Sequence, residues 1–196
     1  VACFRQAKAT IPEALHYNFA MRFLIGVVTG VVLVAAIVAG YLRFGNLPVA
    51  TGDSPFPFER QISHMALDAR IDRQMVKTPP FAADAAAFHA GTKVYLQQCA
   101  ACHGVVGKDS SFAKTMFPHA PQLFVKHRNS DVVGVSDDEP GETYWKVANG
   151  IRLSGMPAYK TVLSETEMWD VSQLLANADK LPADVMDELK TPVPQP

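Results

Sequence analysis

Apolar positions recur along this chain with helical spacing, and over one stretch the polar positions vanish. Residues 23–42 read FLIGVVTGVVLVAAIVAGYL, an uncharged run bracketed by Arg22 and Arg43. At about 1.5 Å rise per residue, a helix of roughly 20 residues matches the hydrocarbon thickness of a bilayer. A buried core helix would keep a polar face, and the apolar part of a cleavable signal peptide is shorter, about 7 to 15 residues. The run is therefore expected to be an uncleaved signal anchor that spans a membrane. Arg5, Lys8 and Arg22 precede it while Arg43 and Arg60 follow, a balance that leans towards an N-terminus on the cytoplasmic side.

Beyond the anchor the helical period returns. Pro48, Pro55 and Pro57 resist helix and predict an extended spacer. In 58–75, FERQISHMALDARIDRQM, the residues Phe58, Ile62, Met65, Ala66 and Ala69 form one apolar stripe. That stripe fits a helix packed either on its own domain or on a partner subunit. Pro79 and Pro80 then break the chain. Residues 83–104, ADAAAFHAGTKVYLQQCAACHG, predict a helix with Ala87, Gly91, Val94 and Tyr95 on a shared face. A second helix is marked by Pro140 near its start and Gly150 just past its end. A third opens on the capping box Ser164 with Glu167, followed by the stripe Met168, Val171, Leu174, Leu175 and Ala178. There is no strand pattern and no internal repeat, so the expected fold is all-α. The expected segments are 1–22 on the cytoplasmic side, 23–42 spanning, and 43–80 a linker with an amphipathic helix. Residues 81–182 form the main domain, and 183–196 a C-terminal extension, part short helix and part proline-rich, over its surface.

Charge and cysteine usage narrow the function. The formal net charge is −1 and there is no Lys/Arg run, which excludes the concentrated basic face that nucleic acid demands. Three cysteines are too few for a disulfide scaffold. Cys3 stands alone and reads as a free thiol near a chain end, with lipid attachment a weaker reading. Cys99 and Cys102, with His103, spell C-x-x-C-H, the attachment pattern of a c-type haem. Two thiols at this spacing can reach the two vinyl groups on one porphyrin edge as thioethers, and the adjacent imidazole then faces the iron. A zinc site would need two further ligands at suitable spacing, and no second C-x-x-C or H-x-x-x-H follows. A thioredoxin-like pair belongs to an α/β fold, which the pattern does not support. The sixth iron position has several candidates. Met156, between Gly155 and Pro157, lies in a stiff loop between the second and third helices; Met116, His119 and His127 are nearer in sequence, and Met168 falls on an apolar helical stripe.

These motifs, in this order, resemble the class I cytochrome c domain in its bacterial branch: CAACHG at 99–104, Pro121-x-Leu123, NGI…GMPAY over 149–159, and LS-x-x-E-x-W over 163–169. The resemblance covers about half the chain, from about 83 to 182. It implies one haem c bound covalently through Cys99 and Cys102, with His103 and Met156 as axial ligands, a pair known in cytochromes c. It further implies that the Pro121 carbonyl orients His103 and that Gly91 and Tyr95 lie where the first helix crosses the last, near Trp169. Arg152 is a candidate partner for a haem propionate. Such a protein passes single electrons and transforms no substrate of its own. The expected setting is the bacterial inner membrane with the haem domain in the periplasm, where haem c is attached. The expected partners are other subunits of a membrane oxidoreductase complex, a soluble or membrane redox partner, and lipid. A freestanding membrane-anchored shuttle is the alternative; a peroxidase or gas sensor with a displaceable sixth ligand is a third class. Residues 81–196 carry 10 basic against 14 acidic side chains, and 137–139, DDE, is the densest acidic spot. It suits either a basic partner or a solvated loop before a helix.

Overall fold

The computed structural model describes residues 13–191, which form helices joined by loops with isolated bridges at Val105–Lys108 and Lys126–Val133 and no strand. Cys3, Arg5 and Lys8 lie outside the described residues. The chain divides into two compact units, one up to residue 49 and one from residue 50 onward.

The first unit is built on α1, Glu13–Phe44. Within it, Met21–Phe44 has a mean hydropathy of 2.7 and no part of that span is buried. Its 24 residues would extend about 36 Å, long and apolar enough to cross a bilayer. Arg43 closes the helix with its guanidinium 5.2 Å from the Phe44 ring centre, a cation placed where the helix dipole is negative.

The second unit holds α2 (Glu59–Gln74), α3 (Ala85–Gln98), the single turn α4 (Ala100–His103), a 3-10 turn (Ala113–Thr115), α5 (Pro140–Asn149), α6 (Glu165–Ala176) and α7 (Ala183–Glu188). The helix starts follow from their caps. Asp84 accepts a bond from the Ala87 amide at 2.9 Å, Pro140 occupies the first turn of α5, and Ser164 and Glu167 exchange bonds across the start of α6. The core forms where α3 crosses α6 and α6 packs on α5. At the crossing, a Cβ on Gly91 would run into the Asp170 carbonyl oxygen and lie 3.1 Å from Leu174 Cβ, so the two backbones touch only because Gly91 has no side chain. Tyr95, Trp169, Val171 and Leu174 are sealed around this contact. Each such side chain contributes about 1.5–3 kcal/mol by leaving water.

Two elements depart from expectation. The stripe read on α2 faces outward: Phe58, Ile62 and Met65 are exposed, whereas Ile71 is 1 % exposed and Met75 half-buried. At 100° per residue Ile71 lies on the opposite side of the helix from Phe58 and Ile62, so α2 is apolar on two faces. Its inward face is pressed against α5, where a Cβ on Gly141 would meet the Val76 carbonyl and Trp145 Nε1 donates to Gln74 Oε1 at 3.2 Å. The second departure is α7. Instead of lying over the surface as part of an extension, it sinks Val185 and Leu189 fully into the core, and the Val106 amide donates to the Leu189 carbonyl at 3.1 Å. Six residues of α7 showed too short a period for the burial to be read from sequence.

Candidate functional site

Cys99 caps the C-terminal end of α3 and opens α4, the turn that carries Cys102 and His103. Neither thiol is in a disulfide, and both are half-buried. The turn must end at once. Gly104 provides this with φ 79°, a left-handed conformation, in a space where a Cβ would sit 2.5 Å from the Lys108 carbonyl oxygen. Tyr95, buried in α3, donates its hydroxyl to the Gly104 carbonyl at 2.8 Å and fixes the turn to the core.

His103 Nδ1 lies 2.7 Å from the Pro121 carbonyl oxygen. A carbonyl can only accept, so Nδ1 carries the proton and Nε2 keeps its lone pair. Burial pushes the imidazole below its ordinary value, and the bond to Pro121 opposes that only in part, so the ring is neutral near pH 7. A neutral imidazole with a free Nε2 is the form that binds a metal. The Pro121 segment is held in turn by Gln122, whose Nε2 donates to the Val105 carbonyl at 2.7 Å while its Oε1 accepts from the Phe124 amide at 2.6 Å.

Met156 lies in the loop between α5 and α6, half-buried against the same apolar cluster that Cys99 packs on. This loop is tied down beyond Met156 by Tyr159. Tyr159 N donates to Val147 O at 3.0 Å, and the Tyr159 hydroxyl donates to the Gln98 carbonyl, one residue before Cys99, at 2.8 Å. Burial raises the Tyr159 phenol to about 12, with the nearby cysteines adding to it, so the hydroxyl stays a donor at any physiological pH. Tyr159 therefore joins the methionine loop to the cysteine turn. The sequence offered it only as the last letter of GMPAY, and Gln122 only as the middle of Pro-x-Leu; their tying roles depend on chain segments far apart in sequence.

The donor set fits a haem attached through thioethers. Burial, and then Cys102, pushes the Cys99 thiol up to about 12, opposite to the lowered value that a nucleophilic redox cysteine requires. Among the described residues no three His, Cys, Asp or Glu side chains cluster to hold a metal ion by themselves, as zinc would need. Arg152 is exposed beside the methionine loop. His119 Nδ1 lies 2.8 Å from the Ala113 carbonyl, His127 is exposed, and Met168 is buried in the core. Met116 is half-buried, and its terminal methyl lies where a side chain on Gly155 would be. The acidic spot at 137–139 is partly neutralised, since Asp138 pairs with Lys146 at 2.9 Å.

Residues 86–175 match the model of a protein family described as cytochrome C oxidase, cbb3-type, subunit III. No curated protein and no solved structure matches the chain.

Proposed function

We propose that this chain, which carries a c-type cytochrome domain behind an N-terminal apolar helix, is a membrane-tethered single-electron carrier working as a subunit of a respiratory oxidoreductase. Its anchor is α1, and its redox domain stands on the periplasmic side, where haem c is attached. The family description, an oxidase subunit, favours a place in a multi-subunit complex over a freestanding shuttle.

Haem c, when bound, would supply a one-electron iron couple. The chain's residues would do the rest. Cys99 and Cys102 would hold the group covalently. His103 would bind the iron through Nε2, its ring fixed by the Pro121 carbonyl. Met156 would supply a thioether as the second ligand, which would raise the potential and leave no position open to a substrate. Arg152 would be available to pair with a propionate. The observation that carries this reading is the His103–Pro121 bond, because it leaves Nε2 as the free donor beside the two thiols.

The deciding experiment is optical. The purified ferric chain should show the methionine-to-iron charge-transfer band, and the ferrous chain should bind carbon monoxide slowly. Met156→Ala should abolish the band and make carbon monoxide binding prompt. A wild-type protein without the band that binds carbon monoxide at once would turn the reading to catalysis or gas sensing. Extraction in mild detergent tests the complex: co-migration with other chains supports a subunit, and elution alone supports a shuttle.

A further inference from the structure

The loop that bears Met156 is secured by its own backbone and by Tyr159, yet its tip is costly to hold. Ser154 Oγ donates to the Ile151 carbonyl at 2.7 Å and accepts from the Met156 amide at 3.2 Å, while Ile151 N donates to Met156 O at 3.3 Å. These bonds fold the tip on itself. Leu153 stands at φ 60°, a left-handed conformation that a leucine adopts reluctantly, and is 89 % exposed. A strained conformation persists only where its surroundings over-determine it. The support from outside the loop comes at Gly155, where Met116 Cε fills the space that a Cβ would take. Gly155 lies outside the left-handed region, so the backbone conformation does not demand glycine there; a Cβ at this position would instead oblige the Met116 methyl to leave its seat.

The backbone that leads into Met116 is held by its neighbours. It follows the 3-10 turn Ala113–Thr115, in which Thr115 Oγ1 donates to Phe112 O at 2.9 Å, and Phe112 N donates to Ser110 Oγ at 3.1 Å. Ser110 Oγ in turn donates to the Ala101 carbonyl, between the two attachment cysteines. A short chain of contacts thus runs from the cysteine turn through Met116 to the residue before Met156.

We infer that Met116 is a positioning residue for the iron-binding loop: its methyl seats on Gly155 and fixes where Met156 presents its sulfur. The inference rests on the reading of Met156 as sixth ligand. A thioether ligand is weak, so a loosened loop should release it more often and let an external ligand in.

The test uses the full chain carrying its haem, read by the charge-transfer band, the reduction potential and the rate of carbon monoxide binding. Met116→Ala empties the seat and Gly155→Ala blocks it. Each should weaken the band, lower the potential and speed carbon monoxide binding by roughly tenfold, the effect of a gap or clash of a few methylenes. Met116→Leu, which keeps most of the bulk, should stay near wild type. The double variant Met116→Ala with Gly155→Ala should recover much of the loss, because the added Cβ fills the vacated seat. The idea is overturned by single variants that keep the band and the potential of wild type and bind carbon monoxide within about twofold of its rate, or by a double variant no better than the singles. A Met116→Leu protein that loses the band as completely as Met156→Ala would equally overturn it, because Met116 would then be the ligand. Should a single variant mature without haem, recovery of colour in the double variant supports the inference and continued absence rejects it. The parent reading fails separately, through a Met156→Ala protein that keeps the band.

Discussion

At His89 one imidazole answers to two carboxylates. Its Nδ1 lies 3.0 Å from Glu188 and its Nε2 3.2 Å from Asp184, which staples α3 to α7. The bond to Glu188 raises the His89 pKa above the ordinary 6.5 against desolvation, the next largest effect, with the charges of Glu188 and Asp184 adding to the rise. Because the folded value exceeds the unfolded one, the staple is at full strength below the unfolded pKa and is lost as pH rises through the folded one. His89→Gln should therefore destabilise the protein more at about pH 5.5 than at about pH 8.5. Thermal melts at the two pH values check this, and an equal loss at both would show that the pair contributes by shape alone. The site of interest has the same logic with the opposite sign: buried His103 is kept neutral, with Pro121 choosing its tautomer.

Among the elements, α2 shows what periodicity can and cannot decide. Its existence was plain from spacing, but a helix with two apolar faces does not announce which one is inside. Phe58, Ile62 and Met65 make the longer stripe and stay exposed, while Ile71 alone is fully covered because α5 offers Gly141 and Trp145 on that side. Ile71→Ala should cost about 2–4 kcal/mol in denaturant unfolding, against about 0.5 kcal/mol or less for Ile62→Ala. Equal losses would mean that both faces are covered. The other helices were easier to read because their ends carry chemistry. Asp84, Pro140, Gly150 and the Ser164–Glu167 pair each satisfy or omit particular backbone groups, and these local needs depend on no distant residue.

For the whole molecule, the distinction between the apolar helix and the folded domain was legible in composition, since among the described residues only α1 runs uncharged and apolar over a bilayer's length. The attachment motif was equally plain, because a spacing of two residues is a purely local property. What remained hidden was the set of ties between remote segments: Tyr159 to Gln98, Gln122 to Val105, and Val106 to Leu189. The last of these sets the domain boundary beyond 182. A chain ended at residue 182 would lose Val185 and Leu189, two side chains with no solvent exposure, and leave the Val106 amide without its acceptor. Loss of the buried pair alone should cost about 3–6 kcal/mol, a large part of a domain's stability. Limited proteolysis should cut the shortened protein rapidly near 104–121 and the full chain slowly; equal rates would refute the role given to α7.

The position of Leu189 also orders events in time. A chain made from its N-terminus exposes the paired thiols well before α7 exists, so the Val106 amide, just after His103, receives its Leu189 acceptor only once α7 has followed. On the function proposed above, attachment at those thiols can therefore precede the formation of that bond.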